Sequence, residues 1–262
     1  MHTLRRLPWW VGVIAAGCAT VPIPLHAPIP APSAPTAPEY SAIQRIVLDA
    51  GHGGRDPGTA HFGLQEKNLN LDIVRRLQAR LQAQGIDVVL TRESDEFIPL
   101  SRRPDVATRT QADLFVSIHV NANRNPQVSG VEVYYPRESV LGVSAALPPQ
   151  IDSSEVALPT TTLRQILWDL IFSRSRHQSI RMATQICRSM RSRLGVRCRG
   201  VHGARFVVLR EARVPAVLVE VGYVTNRAEA ARLGTPSYRQ AIAESIAEGL
   251  LEYARELGLR RT

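Results

Sequence analysis

From Ile43 onward, short apolar runs alternate with amphipathic stretches. Arg45–Ala50 (RIVLDA) is short and β-branched and stops at Gly51, the pattern of a buried strand. Leu69, Ile73, Val74, Leu77 and Leu81 then recur at helical spacing, and Gly85 closes that helix. Ile86–Thr91 (IDVVLT) is the next strand, so the stretch reads as one βαβ unit. Arg102–Ala112 suits a second helix, followed by the strand Leu114–His119 (LFVSIH). Val131–Tyr135 is a further strand, ended by Pro136, and residues 137–162 are irregular and broken by Pro148, Pro149 and Pro159. Beyond them, Leu163–Phe172 and Gln178–Leu194 read as two helices, and Phe206–Leu209 and Ala216–Val221 as strands. Ile242, Ile246, Leu250, Tyr253 and Leu257 form one face of a closing helix. Strands interleaved with helices predict a single α/β domain over about 43–260, with a mostly parallel sheet flanked by helices.

The first residues follow another logic. Arg5 and Arg6 precede an apolar run from Leu7 to Gly17, too short to span a bilayer as a helix, which needs about 20 residues. A basic start, a short apolar stretch and small residues at its end predict a signal peptide over 1–17. Ala15-Ala16-Gly17-Cys18 resembles a lipobox, in which Cys18 carries the lipid, although Ala15 stands where leucine is usual. A plain signal peptide cut nearby and an uncleaved segment are the other readings. Seven prolines between Val21 and Pro38 make 18–42 an extended, semi-rigid tether. That segment is too short and proline-rich to fold as a wall-binding module. Outside the cytoplasm, Cys187 and Cys198 either close a short loop as a disulfide or stay as buried thiols.

Composition changes the picture only in its charge. At 262 residues, 44% hydrophobic and 21% charged, the chain has the usage of an ordinary globular protein, which excludes a disordered regulator and a multispanning membrane protein. The net charge is +9, and Lys67 is the sole lysine among 32 basic residues, an arginine bias that fits genome composition. Twelve arginines fall between Arg164 and Arg213 against Asp169 and Glu211 alone, a local excess of +10. This stretch is either an ordinary solvated face or a contact for acidic wall polymers, lipid headgroups or an acidic activator protein. No nucleic-acid motif accompanies the charge, and an export signal argues against that partner.

Candidate chemistry gathers at strand ends. In open α/β sheets, ligands bind beyond the carboxyl ends of the strands. His52 follows the first strand in Gly51-His52-Gly53-Gly54, His119 ends the third, and Glu220 ends a late one in Leu218-Val219-Glu220-Val221. Parallel strands would bring all three to one edge, where Glu66 opens the first helix. Two imidazoles and carboxylates suit a catalytic zinc site, which takes three N or O ligands and keeps a position for water. A histidine at a strand end is more often a cap or core residue, but a carboxylate in a buried-looking strand is costly unless paired or metal-associated. Asn121 is a candidate donor to substrate. Arg92 either faces peptide carboxylates or makes an ordinary structural pair. Asp56-Pro57-Gly58 reads as a turn, and Asn226 as a loop-fixing residue.

GHGGRDPG (51–58), LQEKNLNL around Glu66, SIHVNAN around His119 and EVGYVTN from Glu220 resemble the zinc-dependent N-acetylmuramoyl-L-alanine amidases of the type-3 family, in that family's order and from about Ile46 to Ala254. The resemblance implies one zinc ion held by His52, Glu66 and His119, with Glu220 as catalytic base. It implies peptidoglycan as substrate, cut at the amide joining the muramic acid lactyl group to L-alanine. In cell-separation enzymes of this type, an inserted helix can cover the zinc. Here that interval, 137–162, is proline-broken, so a long blocking helix is not expected, and a shorter plug around Glu155 is the remaining form of the idea. The expectation is therefore an exported, lipid-anchored, periplasmic zinc amidase. Its rivals are a zinc peptidase cutting within the stem peptide and an inactive wall-binding or activator protein on the same fold.

Overall fold

The computed structural model describes residues 43–137 and 161–258. The signal, Cys18 and the tether therefore lie outside the described residues, as does nearly all of the interval read as a plug. In chain order the elements are β1 (Arg45–Ala50), β2 (Ala60–His61), β3 (Leu64–Gln65), α1 (Glu66–Gln82), β4 (Asp87–Leu90), α2 (Arg102–Arg109), β5 (Leu114–Asn121) and β6 (Val131–Pro136). They continue with α3 (Thr161–Leu194), β7 (Cys198–Ala204), α4 (Val207–Arg210), β8 (Ala216–Tyr223), α5 (Arg227–Leu233) and α6 (Pro236–Glu256).

Six strands form one sheet in the order β4-β1-β5-β8-β6-β7. All neighbours are parallel except β6 and β8, which run antiparallel, so the sheet is mostly parallel as the pattern predicts. Side chains alternate across a strand, and each strand therefore feeds two different layers. Leu48, Val116 and Val219 point to one face, where Leu77 of α1, Ile186 of α3 and Ile246 of α6 bury them. Val47, Phe115 and Leu218 point to the other, where only the short α2 and α4 cover them through Ala107 and Leu209. The second face is thinly roofed. Among the described residues no helix is long and apolar enough to cross a membrane.

Two expectations change. Residues 161–194 form one helix, because Ser173–His177 contains no glycine or proline to break it; Ser179 and Thr184 instead return their hydroxyls to carbonyls of Ser175 and Ile180 within the helix. Phe206–Leu209 is not a strand: only Phe206 is extended, as the N-cap of α4. Val208 and Leu209 are adjacent and both buried, which a helix lying across the sheet allows and alternation in a strand does not. The strand β7 escapes the apolar pattern because it is an edge strand reading CRGVHGA, with no buried residue. Cys187 and Cys198 are joined as a disulfide that ties α3 to β7, with Cα atoms 5.8 Å apart. Some of the arginine excess is neutralised within the domain, by Arg181–Glu256, Arg193–Glu244 and Arg199–Glu132 pairs.

Candidate active site and metal centre

The carboxyl ends of β1, β5 and β8 lie side by side, and His119 sits in register with Glu220. Asp49, Ser117, His119 and Glu220 share the parity of Val47, Phe115 and Leu218, so all belong to the thinly roofed face. His52 enters from the loop after β1, and Glu66 from the first turn of α1. Ligand atoms of His52, Glu66 and His119 lie within 4.8 Å of one another. Glu66 Oε1 is 3.1 Å from His52 Nε2 and 2.9 Å from His119 Nδ1.

Glu66 is buried and its other contacts fix its plane: Oε1 accepts from Val120 N–H at 3.1 Å and Oε2 from Thr59 N–H at 2.9 Å. Burial disfavours its charge, but hydrogen bonds and charge from the two histidines outweigh that and hold its pKa well below the ordinary value. His52 responds in kind. Burial would lower its pKa, yet Glu66 and Asp56 together raise it to about 9. Two glycines make room for the group. A Cβ on Gly51 would meet the His119 ring at 2.3 Å, and one on Gly58 would meet Glu66 Oε2 at 2.6 Å.

Glu220 lines the same cavity as His52 and His119. Its Oε2 is buried with no hydrogen-bond partner among the described residues. Burial pushes its pKa up to about 7. Across the β6–β8 ladder stands Glu132, whose carboxylate is held by Tyr134 Oη at 2.6 Å and Arg199 Nε at 3.0 Å. The two glutamates thus occupy unlike environments, one anchored by donors and one left open.

A second layer of residues went unnoticed in the sequence. Asp56, read as a turn residue, does make the turn through Gly58 N–H at 3.1 Å, but its Oδ2 also meets His52 Nδ1 at 2.8 Å. With Nδ1 donating to Asp56, His52 is left presenting Nε2 to the group. The only sequence signal was the spacing of His52 and Asp56. Asp49, hidden in an apolar strand, is fully buried and accepts from Ser117 Oγ at 2.6 Å, Thr91 Oγ1 at 2.7 Å and Arg103 Nη1 at 2.9 Å.

Arg92 and Arg103 are both about 2% exposed. Arg92 donates to the carbonyls of Ala50, Gly51, Lys67 and Ser94, and Arg103 to those of Ala50, His52 and Ile98. The substrate-facing role for Arg92 is therefore corrected: its guanidinium is engaged with main chain, clamping the loop that carries His52. That loop needs clamping, since His52 has φ 62°, a left-handed conformation that costs a non-glycine residue about 1–3 kcal/mol. Asn121 turns its Oδ1 to Ala122 N–H at 2.8 Å and its Nδ2 toward Glu132 at 3.5 Å. Asn226 caps α5 through Ala228 and Glu229 N–H and bonds Pro126 O, which is loop fixing as expected.

Two imidazoles and one carboxylate around a point, beside a further open carboxylate at the carboxyl edge of an α/β sheet, are the constellation of a metal-dependent hydrolase. Comparison with known proteins sharpens that class. The chain belongs to the N-acetylmuramoyl-L-alanine amidase family, whose sequence model matches residues 46–252, and zinc dependence is general to that family. It is 36% identical over 232 residues to the N-acetylmuramoyl-L-alanine amidase AmiA of Escherichia coli K12, covering 84% of this chain and 80% of AmiA. Among solved structures it resembles the amidase AmiC2 of Nostoc punctiforme, with a TM-score of 0.63 at 32% identity, covering 82% of this chain and 99% of that one. The catalytic domain of CwlV from Bacillus (Paenibacillus) polymyxa gives a TM-score of 0.62 at 29% identity, covering 83% of this chain and 99% of that domain.

Proposed function

We propose that this chain is an exported zinc amidase that cuts peptidoglycan between the lactyl group of N-acetylmuramic acid and L-alanine. The observation that carries the reading is the convergence of His52, Glu66 and His119 with the unpartnered Oε2 of Glu220 on one cavity. The donor set fits zinc, and the space left by Gly51 and Gly58 and the Asp56–His52 hydrogen bond favour the same assignment. His52, Glu66 and His119 would hold the ion. When bound, it supplies Lewis acidity toward the scissile carbonyl and the attacking water.

The remaining work belongs to side chains. Glu220 takes a proton from the attacking water at Oε2 and returns it to the nitrogen of L-alanine as that amine leaves. A pKa raised by burial to about 7 suits both halves of that task near neutral pH. Glu132, held by Tyr134 and Arg199, stays charged and leaves the proton chemistry to Glu220.

The same reading gives residues 1–17 to export, Cys18 to a lipid anchor, 18–42 to a tether and 43–260 to the catalytic domain, working in the periplasm. A protein activator fits this scheme, with the arginine-rich stretch as its candidate contact. The test is digestion of purified sacculi with the purified protein. Expected products are free lactyl carboxyl groups and new L-alanine N-termini, silenced by chelation and restored by zinc. Cleavage inside the stem peptide with the lactyl amide intact would establish a peptidase instead. For the anchor, labelled fatty acid should enter the wild-type chain and not Cys18→Ser.

A further inference from the structure

One part of the cavity is used neither by the metal ligands nor by Glu220. The cavity measures about 500 Å³, and Phe97, Leu100, Arg205 and Phe206 are among the residues that line it. Phe97, Leu100 and Phe206 are 37%, 59% and 40% exposed, and they are three of the four exposed large hydrophobic side chains among the described residues. Apolar side chains gathered in a cleft, rather than scattered, mark a surface that receives a ligand.

Two cations accompany these apolar side chains. Arg55 lays its guanidinium 4.3 Å over the Phe97 ring, and Arg205 lines the cavity beside Phe206. Among the described residues, neither has a carboxylate partner. The acids of the cavity are already engaged: Asp49 with Arg103 at 2.9 Å, Asp56 with His52 at 2.8 Å, and Glu220 at the reaction centre. Away from Glu220, the cavity therefore offers apolar surface with unneutralised positive charge. It suits a partly apolar anion.

Taking the amidase reading as given, the substrate has two halves that meet at the scissile amide. The sugar half is neutral near that bond, because its lactyl carboxyl is consumed in the amide. The peptide half carries free carboxylates between methyl-bearing residues. We infer that the part of the cavity lined by Phe97, Leu100 and Phe206 is the subsite for the stem peptide and that Arg205 recognises a carboxylate of that peptide. The planar guanidinium fork matches a carboxylate with two parallel hydrogen bonds, and the rings take the aliphatic side chains on either side. Arg55 supplies a second cation near the Phe97 ring.

The experiment compares two soluble muramyl peptides that differ only in whether the carboxylate of the second stem residue is free or amidated. Wild-type protein should favour the free acid by about tenfold in kcat/KM, carried by KM. Arg205→Gln should abolish the preference, Arg205→Lys should restore part of it, and Arg109→Gln, which removes the same charge from the last turn of α2, should leave it intact. An Arg205→Gln protein with the wild-type preference overturns the inference, as does one that loses rate equally on both substrates. If the wild type cuts neither peptide, the amidase reading itself fails and takes the subsite with it.

Discussion

The two faces of the sheet are built from the same strands and do opposite work. On the closed face, β1, β5 and β8 contribute Leu48, Val116 and Val219, and three long helices seal them in an apolar layer. On the open face, the residues one position along are Asp49, Ser117 and Glu220, covered by two short helices. A step of one residue along a strand moves a side chain from a dry core to the candidate site. Stability and chemistry are thus separated by the strand's own period. The open face keeps its buried charges tolerable by pairing them, Asp49 with Arg103, and leaves one carboxyl oxygen of Glu220 without a partner.

If that separation is real, single substitutions on the two faces should fail in different ways. The largest effect is expected from Glu220→Gln: turnover should fall by about a thousandfold, the middle of the range for losing a general base, with bound zinc unchanged. Metal analysis beside initial rates on muropeptides checks it, and comparable turnover in this variant would reject Glu220 as the base. Leu77→Ala, on the closed face, should cost about 2–5 kcal/mol of stability while the folded fraction keeps its kcat. Phe206→Ala, on the open face, should change stability by less than about 1 kcal/mol because its ring is already 40% exposed. Urea unfolding of the two variants side by side measures that contrast.

The closed face was readable in the sequence because its signal is periodic. Leu69, Ile73, Leu77 and Leu81 could only be one face of a helix, and RIVLDA and LFVSIH only buried strands. Of the open face, the strand-end residues were legible, since His52, His119 and Glu220 interrupt apolar runs where a parallel sheet brings strand ends together. What supports them was not. Asp49 is a single polar residue inside an apolar strand, Arg92 read either as a substrate contact or as a structural pair, and Arg103 carried no signal of its own. Their roles depend on hydrogen bonds to the main chain of a distant loop, and main-chain carbonyls leave no trace in a residue pattern. The strand β7 was lost for a related reason, as an edge strand has no apolar run to display, while FVVL, which has one, became the short helix α4.

The clamp on the His52 loop gives a third, smaller expectation. Arg103 donates to the carbonyls of Ala50 and His52, at 2.9 Å each, so it holds the backbone of His52, which we propose as a metal ligand, rather than its ring. Arg103→Met should weaken zinc binding by about 10- to 100-fold, the usual range for losing support behind a ligand, and shift the visible spectrum of the cobalt-substituted protein. Asp56→Asn, which weakens the hydrogen bond to His52 Nδ1, should sit at the lower end of that range. Chelator competition on folded protein gives the affinities. An Arg103→Met protein with lower stability but unchanged zinc affinity and spectrum would reduce the clamp to ordinary core structure.

The last effect is in the pH dependence of stability, and its sign separates the metal-free protein from the loaded one. Without metal, His52 stands at about 9 against an ordinary 6.5, so its stabilising proton is fully held below about pH 6.5 and lost as pH rises through about 9. Glu220 stands at about 7 against 4.5, and folding resists its ionisation, so stability also falls as pH rises from about 4.5 through about 7. Glu66 is held well below its ordinary value and contributes a constant amount over that range. The chelated protein should therefore show a urea midpoint that declines between about pH 5 and pH 9, and His52→Gln should flatten the upper part of the decline. Zinc needs the same imidazoles deprotonated, so its affinity rises with pH and offsets the loss. On the closed face burial pushes the buried Tyr253 up to about 12, above this range, so a decline that persists unchanged with saturating zinc would place its origin outside the His52, Glu66 and His119 group.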